Sequence, residues 1–152
     1  MPHSYTSCHV HYVFSTKNRL DLILPEIRPR MWAYMSGIAQ NNRFEALQIG
    51  GTGNHCHALL AIPATMTIAK AVQLIKGGSS KWFNGAFPAS ERDLPFEWQE
   101  GYGAFSVSIG DVDGTIRYIM AQEEHHRHRS FEDEFRAFLR KDGHAETEWT
   151  WG

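Results

Sequence analysis

An α+β fold, with helices packed on one antiparallel sheet, is what this sequence predicts, and three observations carry the prediction. Four segments alternate their side chains with the period of two that a β-strand imposes. Between and after them, apolar residues recur at the spacing of amphipathic helices. The resulting order, β-α-β-β-α-β-α-α, contains a split βαβ unit. No internal repeat and no dividing linker interrupts the chain, so residues 1–152 are read as one domain.

Residues 8–14 form the first strand, with Cys8, Val10, Tyr12 and Phe14 pointing one way and His9, His11 and Val13 the other. Lys17-Asn18-Arg19 is a polar turn. Pro25 opens a helix, where its missing N–H is harmless. Ile27, Met31, Tyr34, Met35 and Ile38 carry that helix to about Asn41. Phe44 to Ile49 is the second strand, and Gly50, Gly51 and Gly53 form the loop after it. His55 to Ile62 is the third strand, closed by Pro63. Thr67 is read as the N-cap of a second helix carrying Ile68, Val72 and Ile75. Gly77-Gly78-Ser79-Ser80 is expected to interrupt or fray it before Lys81-Trp82-Phe83. Residues 84–103, rich in Gly, Pro and Trp, read as a long loop. Ala104 to Ile109 is the fourth strand, with Phe105, Val107 and Ile109 on one face. Residues 112–128 are helical in pattern. Ser130 and Asp133 resemble a capping box for a last helix bearing Phe131, Phe135, Phe138 and Leu139. Gly143 is its stop, and Trp149 and Trp151 lie in the tail.

Composition narrows the function. A net charge of -2, from 15 basic and 17 acidic residues, argues against strong sequence-independent binding to duplex DNA, which needs many cations on phosphates. It leaves room for a local basic groove. Hydrophobic residues at 42% suffice for an ordinary core. The two cysteines, Cys8 and Cys56, give no disulfide framework and point to a reducing compartment. MPHSYTSCHV lacks the basic-then-apolar pattern of a signal peptide. No apolar stretch approaches the roughly 20 residues that span a bilayer. A soluble cytoplasmic protein with no membrane partner is expected.

Nine histidines invite a search for metal ligands. On a strand, His55 and His57 face the same side, about 7 Å apart at their Cα atoms, while Cys56 faces the apolar side. Two imidazoles so placed can reach one metal ion; they can also be ordinary hydrogen-bonded histidines. In the helix at 112–128, Val112, Ile116, Ile119 and Met120 form the apolar stripe. Tyr118, Gln122 and His125 lie on the other side, with Tyr118 and Gln122 neighbours at i and i+4. His126 and His128 read as the solvated end of a helix. His9 and His11 share a face as His55 and His57 do, and are read as structural. Lys17, Arg19, Lys76, Lys81, Trp82, Phe83 and Arg92 interleave cations with flat rings, a combination that suits single-stranded nucleic acid and that ordinary surface cations beside buried aromatics also produce.

Together these segments resemble the single-tyrosine HUH transposases of bacterial insertion sequences and their REP-associated relatives. His55-Cys56-His57, followed by ALLAIP, matches the His-hydrophobic-His motif. VHYVFSTKNR resembles the family's opening strand and basic turn, and IAKAVQLIKGGSSKW its second helix. Tyr118-Ile119-Met120-Ala121-Gln122 resembles its nucleophile helix, and QEEHHR with SFEDEFRAFL its trailing segment. The likeness runs from about Val10 to Gly143. One position departs from it: many members carry Asp where this chain has Asn54, which keeps the oxygen acceptor without the charge.

The resemblance implies a ferredoxin-like (RRM-like) fold, and a homodimer in which one subunit's tyrosine helix can complete the other's active site. It implies a divalent metal, Mg²⁺ or Mn²⁺, held by His55, His57 and Gln122. It implies cleavage and transfer of hairpin-bearing single-stranded DNA through a 5′-phosphotyrosine on Tyr118. The candidate DNA contacts are Lys17, Arg19, Lys76, Ser79, Ser80, Lys81 and Arg117. Two other functions suit the same residues: a non-catalytic single-strand-binding module, and a metal-dependent phosphodiesterase with no covalent intermediate.

Overall fold

A computed structural model describes residues 4–88, 94–125 and 130–141, with 124 and 125 described by backbone alone. The elements are β1 (His9–Ser15), α1 (Arg28–Asn41), β2 (Glu45–Gly51), β3 (His55–Ala61), α2 (Ile68–Ala86), β4 (Gly103–Val107), α3 (Val112–Met120), α4 (Gln122–His125) and α5 (Phe131–Lys141). The four strands form one antiparallel sheet in the order β2-β3-β1-β4. The predicted α+β fold is therefore the observed one.

Both faces of the sheet are covered, which explains why β1 and β3 are buried almost throughout rather than on alternate residues. One face sends Val10, Tyr12, Phe14, Cys56, Ala58 and Leu60 into the main core. There they meet Met31 and Met35 of α1 and Val72 and Ile75 of α2. The opposite face carries His11, Val13, His55, His57 and Leu59. There α3 covers one half through Val112 and Ile119 packed on Leu59. On the other half α5 packs Phe131, Phe135 and Leu139 on Val13 and Phe105. The histidines lie in the seam between these two small apolar clusters.

Several boundaries differ from the sequence expectation. The first helix begins at Arg28, with Pro29 rather than Pro25 in its first turn. Helix α2 runs unbroken through Gly77–Ser80. Gly78 is used for close packing: a Cβ there would stand 2.6 Å from Ile38 Cδ1 of α1. The fourth strand stops at Val107, leaving Ile109 73% exposed in a 3-10 turn. The long helix breaks at Ala121, which leaves helical geometry at φ -93°, ψ 14°. Met120, the last residue of α3, points outward, 68% exposed, instead of joining the apolar stripe. Thr67 caps α2 as expected, its side chain accepting from Lys70 N at 3.0 Å. Ser130 Oγ likewise accepts from Asp133 N at 3.2 Å. The expectations for His126, His128, Gly143, Trp149 and Trp151 lie outside the described residues. So does Arg92, from the interleaved basic and aromatic set.

The segment between α2 and β4 is pinned to α2. Asn84 brackets Phe96 with two side-chain hydrogen bonds, and Phe83 stacks on Phe96. Trp98 Nε1 donates to Ser79 Oγ at 2.9 Å. Lys76 Nζ donates to the carbonyls of Gln99, Glu100 and Gly101. No helix among the described residues is long and apolar enough to cross a membrane.

Gly50 decides how closely α3 approaches β2. A Cβ at Gly50 would lie 2.8 Å from the backbone oxygen of Ile119, and backbone cannot swing aside as a side-chain tip can. Gly50→Ala is expected to lower stability by about 1–3 kcal/mol through overpacking, measured by urea denaturation. Gly37→Ala in α1, where a Cβ meets nothing within 4 Å, is the control and should be neutral or stabilising.

Candidate active site

The histidines owe their placement to strand alternation and sheet register. In the antiparallel register β3 sets His55 opposite Ser15 and His57 opposite Val13, so both imidazoles rise from the face that α3 and α5 cover. Both are fully buried, with ring centroids 5.2 Å apart at a steep angle. The break at Ala121 lets Gln122 enter the seam from α4, also buried. Its Oε1 lies 3.0 Å from His55 Nε2, and its Nε2 donates to the Tyr118 carbonyl at 3.2 Å. The Tyr118 ring stands 5.6 Å from that of His57 in the same chain. The four residues singled out as nucleophile and ligands therefore meet in one place.

Hydrogen bonds around the histidines fix which nitrogen is available. Asn54 Nδ2 reaches the Arg19 carbonyl at 3.5 Å, which turns Asn54 Oδ1 toward His55 Nδ1 at 2.9 Å. Thr52 Oγ1 lies 2.8 Å from the same nitrogen. With two oxygens on Nδ1, that nitrogen carries the proton and Nε2 presents its lone pair. That lone pair faces Gln122 Oε1, whose amide is oriented by its own donation to Tyr118. Two acceptors converging in this way form a donor set suited to a cation. Asn54 thus orients the His55 ring through a neutral oxygen.

Two residues that the sequence reading missed complete the cluster. His11, read as structural, places its Nε2 2.8 Å from His57 Nδ1. Burial, with a further contribution from His57, pushes its pKa well below the ordinary histidine value, so it is neutral and its Nε2 lone pair can accept a hydrogen bond from His57 Nδ1–H. The sequence signal was the shared parity of His11 with the face that carries the paired histidines. Glu134 of α5 is the second: Oε1 lies 2.9 Å from His57 Nε2, and Oε2 accepts from the Tyr118 hydroxyl. Its signal was a carboxylate inside the Phe131, Phe135, Leu139 stripe, where a charge is rarely buried unpaired. His55, His57 and Glu134 offer ligand atoms all within 4.8 Å of one another. Two imidazole nitrogens and two side-chain oxygens are a donor set that fits a divalent ion such as Mn²⁺.

Rings close the seam. Phe131 stacks on His55 at 4.5 Å, and Phe138 meets His11 and Tyr118 edge-on. Beside Tyr118 a cavity of about 400 Å³ is lined by His11, Phe105, Thr115, Phe138 and Lys141 among others.

The candidate DNA contacts divide. Lys17 and Arg19 share a 3-10 turn after β1, next to Asn54. There Lys17 pairs with Glu97 at 3.4 Å, and Arg19 with Glu132 of α5 at 2.5 Å. Arg117 is exposed on α3, one residue before the tyrosine. Lys76, Ser79, Ser80 and Lys81 lie on α2, across the sheet from the histidines. Ser79 is fully buried and bonded to Trp98, so it presents no surface to DNA. The Lys76 ammonium is engaged by three carbonyls, and burial lowers its pKa to about 8. Ser80 donates to the Gly77 carbonyl, and Lys81 is exposed.

Cys56, between the two histidines, faces the main core, and burial pushes its thiol pKa up. In the folded protein, alkylation is expected at exposed Cys8 and not at Cys56. Added Mn²⁺ should not change this, since Cys56 lies on the wrong face to be a ligand. Peptide mapping after iodoacetamide treatment checks it.

The sequence profile of the family described as "Transposase IS200 like" matches residues 4–122. No curated protein sequence matches. Among solved structures, a candidate transposase from Deinococcus radiodurans R1 is similar, at 22% identity and TM-score 0.65, covering 80% of this chain and 95% of that one. A REP-associated tyrosine transposase bound to a REP hairpin is similar at 15% identity and TM-score 0.54. That match covers 98% of this chain and 78% of the other. The two structures share the fold, and the match over residues 4–122 places this chain in the IS200-like transposase family.

Proposed function

We propose that this protein cleaves and rejoins single-stranded DNA, with Tyr118 as nucleophile and a divalent metal, Mn²⁺ or Mg²⁺, at His55, His57 and Gln122. The observation that carries this reading is the convergence of Tyr118 with both histidines and Gln122 in one buried seam. The Tyr118 oxygen attacks the scissile phosphorus. A Tyr118 O–P bond forms, the P–O bond to the leaving 3′ oxygen breaks and that oxygen takes up the proton released by Tyr118, so a 5′-phosphotyrosine and a 3′-hydroxyl result. Attack by another 3′-hydroxyl reverses the step and joins strands without ATP. A free phenol has a pKa of about 10 and needs activation; Glu134 Oε2, already bonded to the hydroxyl, is the acceptor in place for its proton. A divalent ion, when bound, supplies positive charge to the phosphate oxygens as negative charge develops on them. His11 and Asn54 hold the two imidazoles with their Nε2 atoms aimed into the seam. Arg117, exposed on α3, provides a cation near the site for the DNA backbone, and Lys17 and Arg19 add theirs on exchanging Glu97 and Glu132 for phosphate.

The substrate in this reading is single-stranded DNA bearing a hairpin. The solved relative bound to a REP hairpin supports that substrate class by its fold. A homodimer belongs to the same reading, with the nucleophile acting in cis, because Tyr118 lies beside His57 of its own chain.

The test is a covalent-adduct assay. The full chain is mixed with single-stranded hairpin oligonucleotides in Mn²⁺, with and without chelator, then denatured and analysed by mass spectrometry. A chelator-sensitive adduct mapping to Tyr118 is expected. Tight hairpin binding with no adduct would instead indicate a binding module, and turnover with no adduct a hydrolase.

A further inference from the structure

Glu134 carries more of this site than a proton acceptor would need to. It sits on the buried stripe of α5, 2% exposed, where an ionised carboxylate is costly unless positive charge or donors meet it. Its two oxygens are divided between two partners. Oε1 faces His57 Nε2, the nitrogen that a bound ion requires, and Oε2 receives the Tyr118 hydroxyl.

We infer that Glu134 is itself a ligand of the metal, joining His55, His57 and Gln122, with Oε1 toward the ion and Oε2 retaining the nucleophile. The inference rests on the metal site proposed above and extends it. Two geometric facts support it. The donor atoms of His55, His57 and Glu134 already lie within 4.8 Å of one another. Bonds of about 2.1 Å place neighbouring donors roughly 3–3.5 Å apart, so side-chain adjustment suffices. Both histidines can also present Nε2 together: Asn54 holds the proton of His55 on Nδ1, and His57 keeps its proton on Nδ1 by donating a hydrogen bond to His11 Nε2.

Charge gives the third argument. His55, His57 and Gln122 are neutral donors, so a divalent ion held by them alone would bring two uncompensated charges into a buried seam. One carboxylate offsets half of that. The resulting mix of two imidazole nitrogens, an amide oxygen and a carboxylate oxygen suits Mn²⁺ better than Mg²⁺, which prefers oxygen and retains its waters. Glu134 would hold the ion through one oxygen while its other oxygen keeps the Tyr118 hydroxyl in place.

The test is Mn²⁺ binding to the full-length protein by isothermal titration calorimetry, with no DNA present. Glu134→Gln is nearly isosteric and is expected to weaken Mn²⁺ binding at least tenfold. Glu134→Asp should recover part of the loss. The visible spectrum of bound Co²⁺ should differ between wild type and Glu134→Gln, reporting a changed ligand set. His55→Ala should abolish binding and serves as the control for the site itself. If His55→Ala loses Mn²⁺ while Glu134→Gln binds it equally or more tightly, Glu134 is not a ligand, and the three-residue site stands without it. Tighter binding would mean that Glu134 competes with the ion for His57. If the wild type binds no Mn²⁺, the proposed metal site and this inference both fall.

Discussion

Tyr118→Phe is expected to remove the covalent DNA adduct entirely and to lower strand cleavage at least about 10³-fold, as loss of a chemical nucleophile does. The substitution leaves the ring in place against Phe138 and His57 and deletes only the hydroxyl that Glu134 Oε2 accepts. The structural cost is one lost hydrogen bond to a buried carboxylate, about 1–2 kcal/mol, so the variant should fold and still bind Mn²⁺ and hairpin DNA. Retained binding with lost chemistry separates a nucleophile from a packing residue. Cleavage that continued at the wild-type rate would remove Tyr118 from the reaction. Because the tyrosine lies beside its own histidines, mixing Tyr118→Phe with a histidine variant should restore little activity. Restoration on mixing would show that the tyrosine works across a dimer.

His57→Ala is expected to act on stability and on chemistry together. Removing the ring strips Glu134 Oε1 and His11 Nε2 of a buried partner and opens space against Tyr118 and Phe138. A buried charge that loses its partner costs about 3 kcal/mol, which for a chain of this size lowers Tm by roughly 6–12 °C. The same variant should lose Mn²⁺ binding and metal-dependent cleavage. Differential scanning calorimetry on metal-free protein isolates the structural part, since no ligand then biases the folded state. A melting point unchanged from wild type would show that the buried network does not support the fold. Tyr118→Phe, tested alongside, should shift Tm by much less.

Much of the site was legible because its logic is local. A period of two puts His55 and His57 on one face and Cys56 on the other, whatever the sheet does elsewhere. A spacing of four puts Tyr118 beside Gln122 on one helical surface. Even the break at Ala121 leaves the pair linked, through the donation of Gln122 Nε2 to the Tyr118 carbonyl. The apolar stripes of α1, α2 and α5 are equally local, and each helix occurs near its predicted place. The GGSS segment was misread because glycine lowers helical propensity. Close packing of Gly78 on Ile38 overrides that preference, and propensity carries no information about such a contact.

By itself, then, the sequence determined the α+β element order, the paired histidines on one strand face and the adjacency of tyrosine and glutamine. Tertiary structure decided which of these groups meet. Gln122 reaches His55 across 67 positions, His11 reaches His57 across 46, and Glu134 reaches His57 across 77. Such meetings follow from strand order and from the docking of α3 and α5 onto a single face. The same docking turned His11 from a structural histidine into a partner of His57, drew Glu134 into the centre, and left Ser79 and Lys76 holding a loop on the far side. Periodicity within a segment records which way a side chain points. The neighbour it finds there depends on non-local packing, through contacts between segments that short-range pattern does not encode.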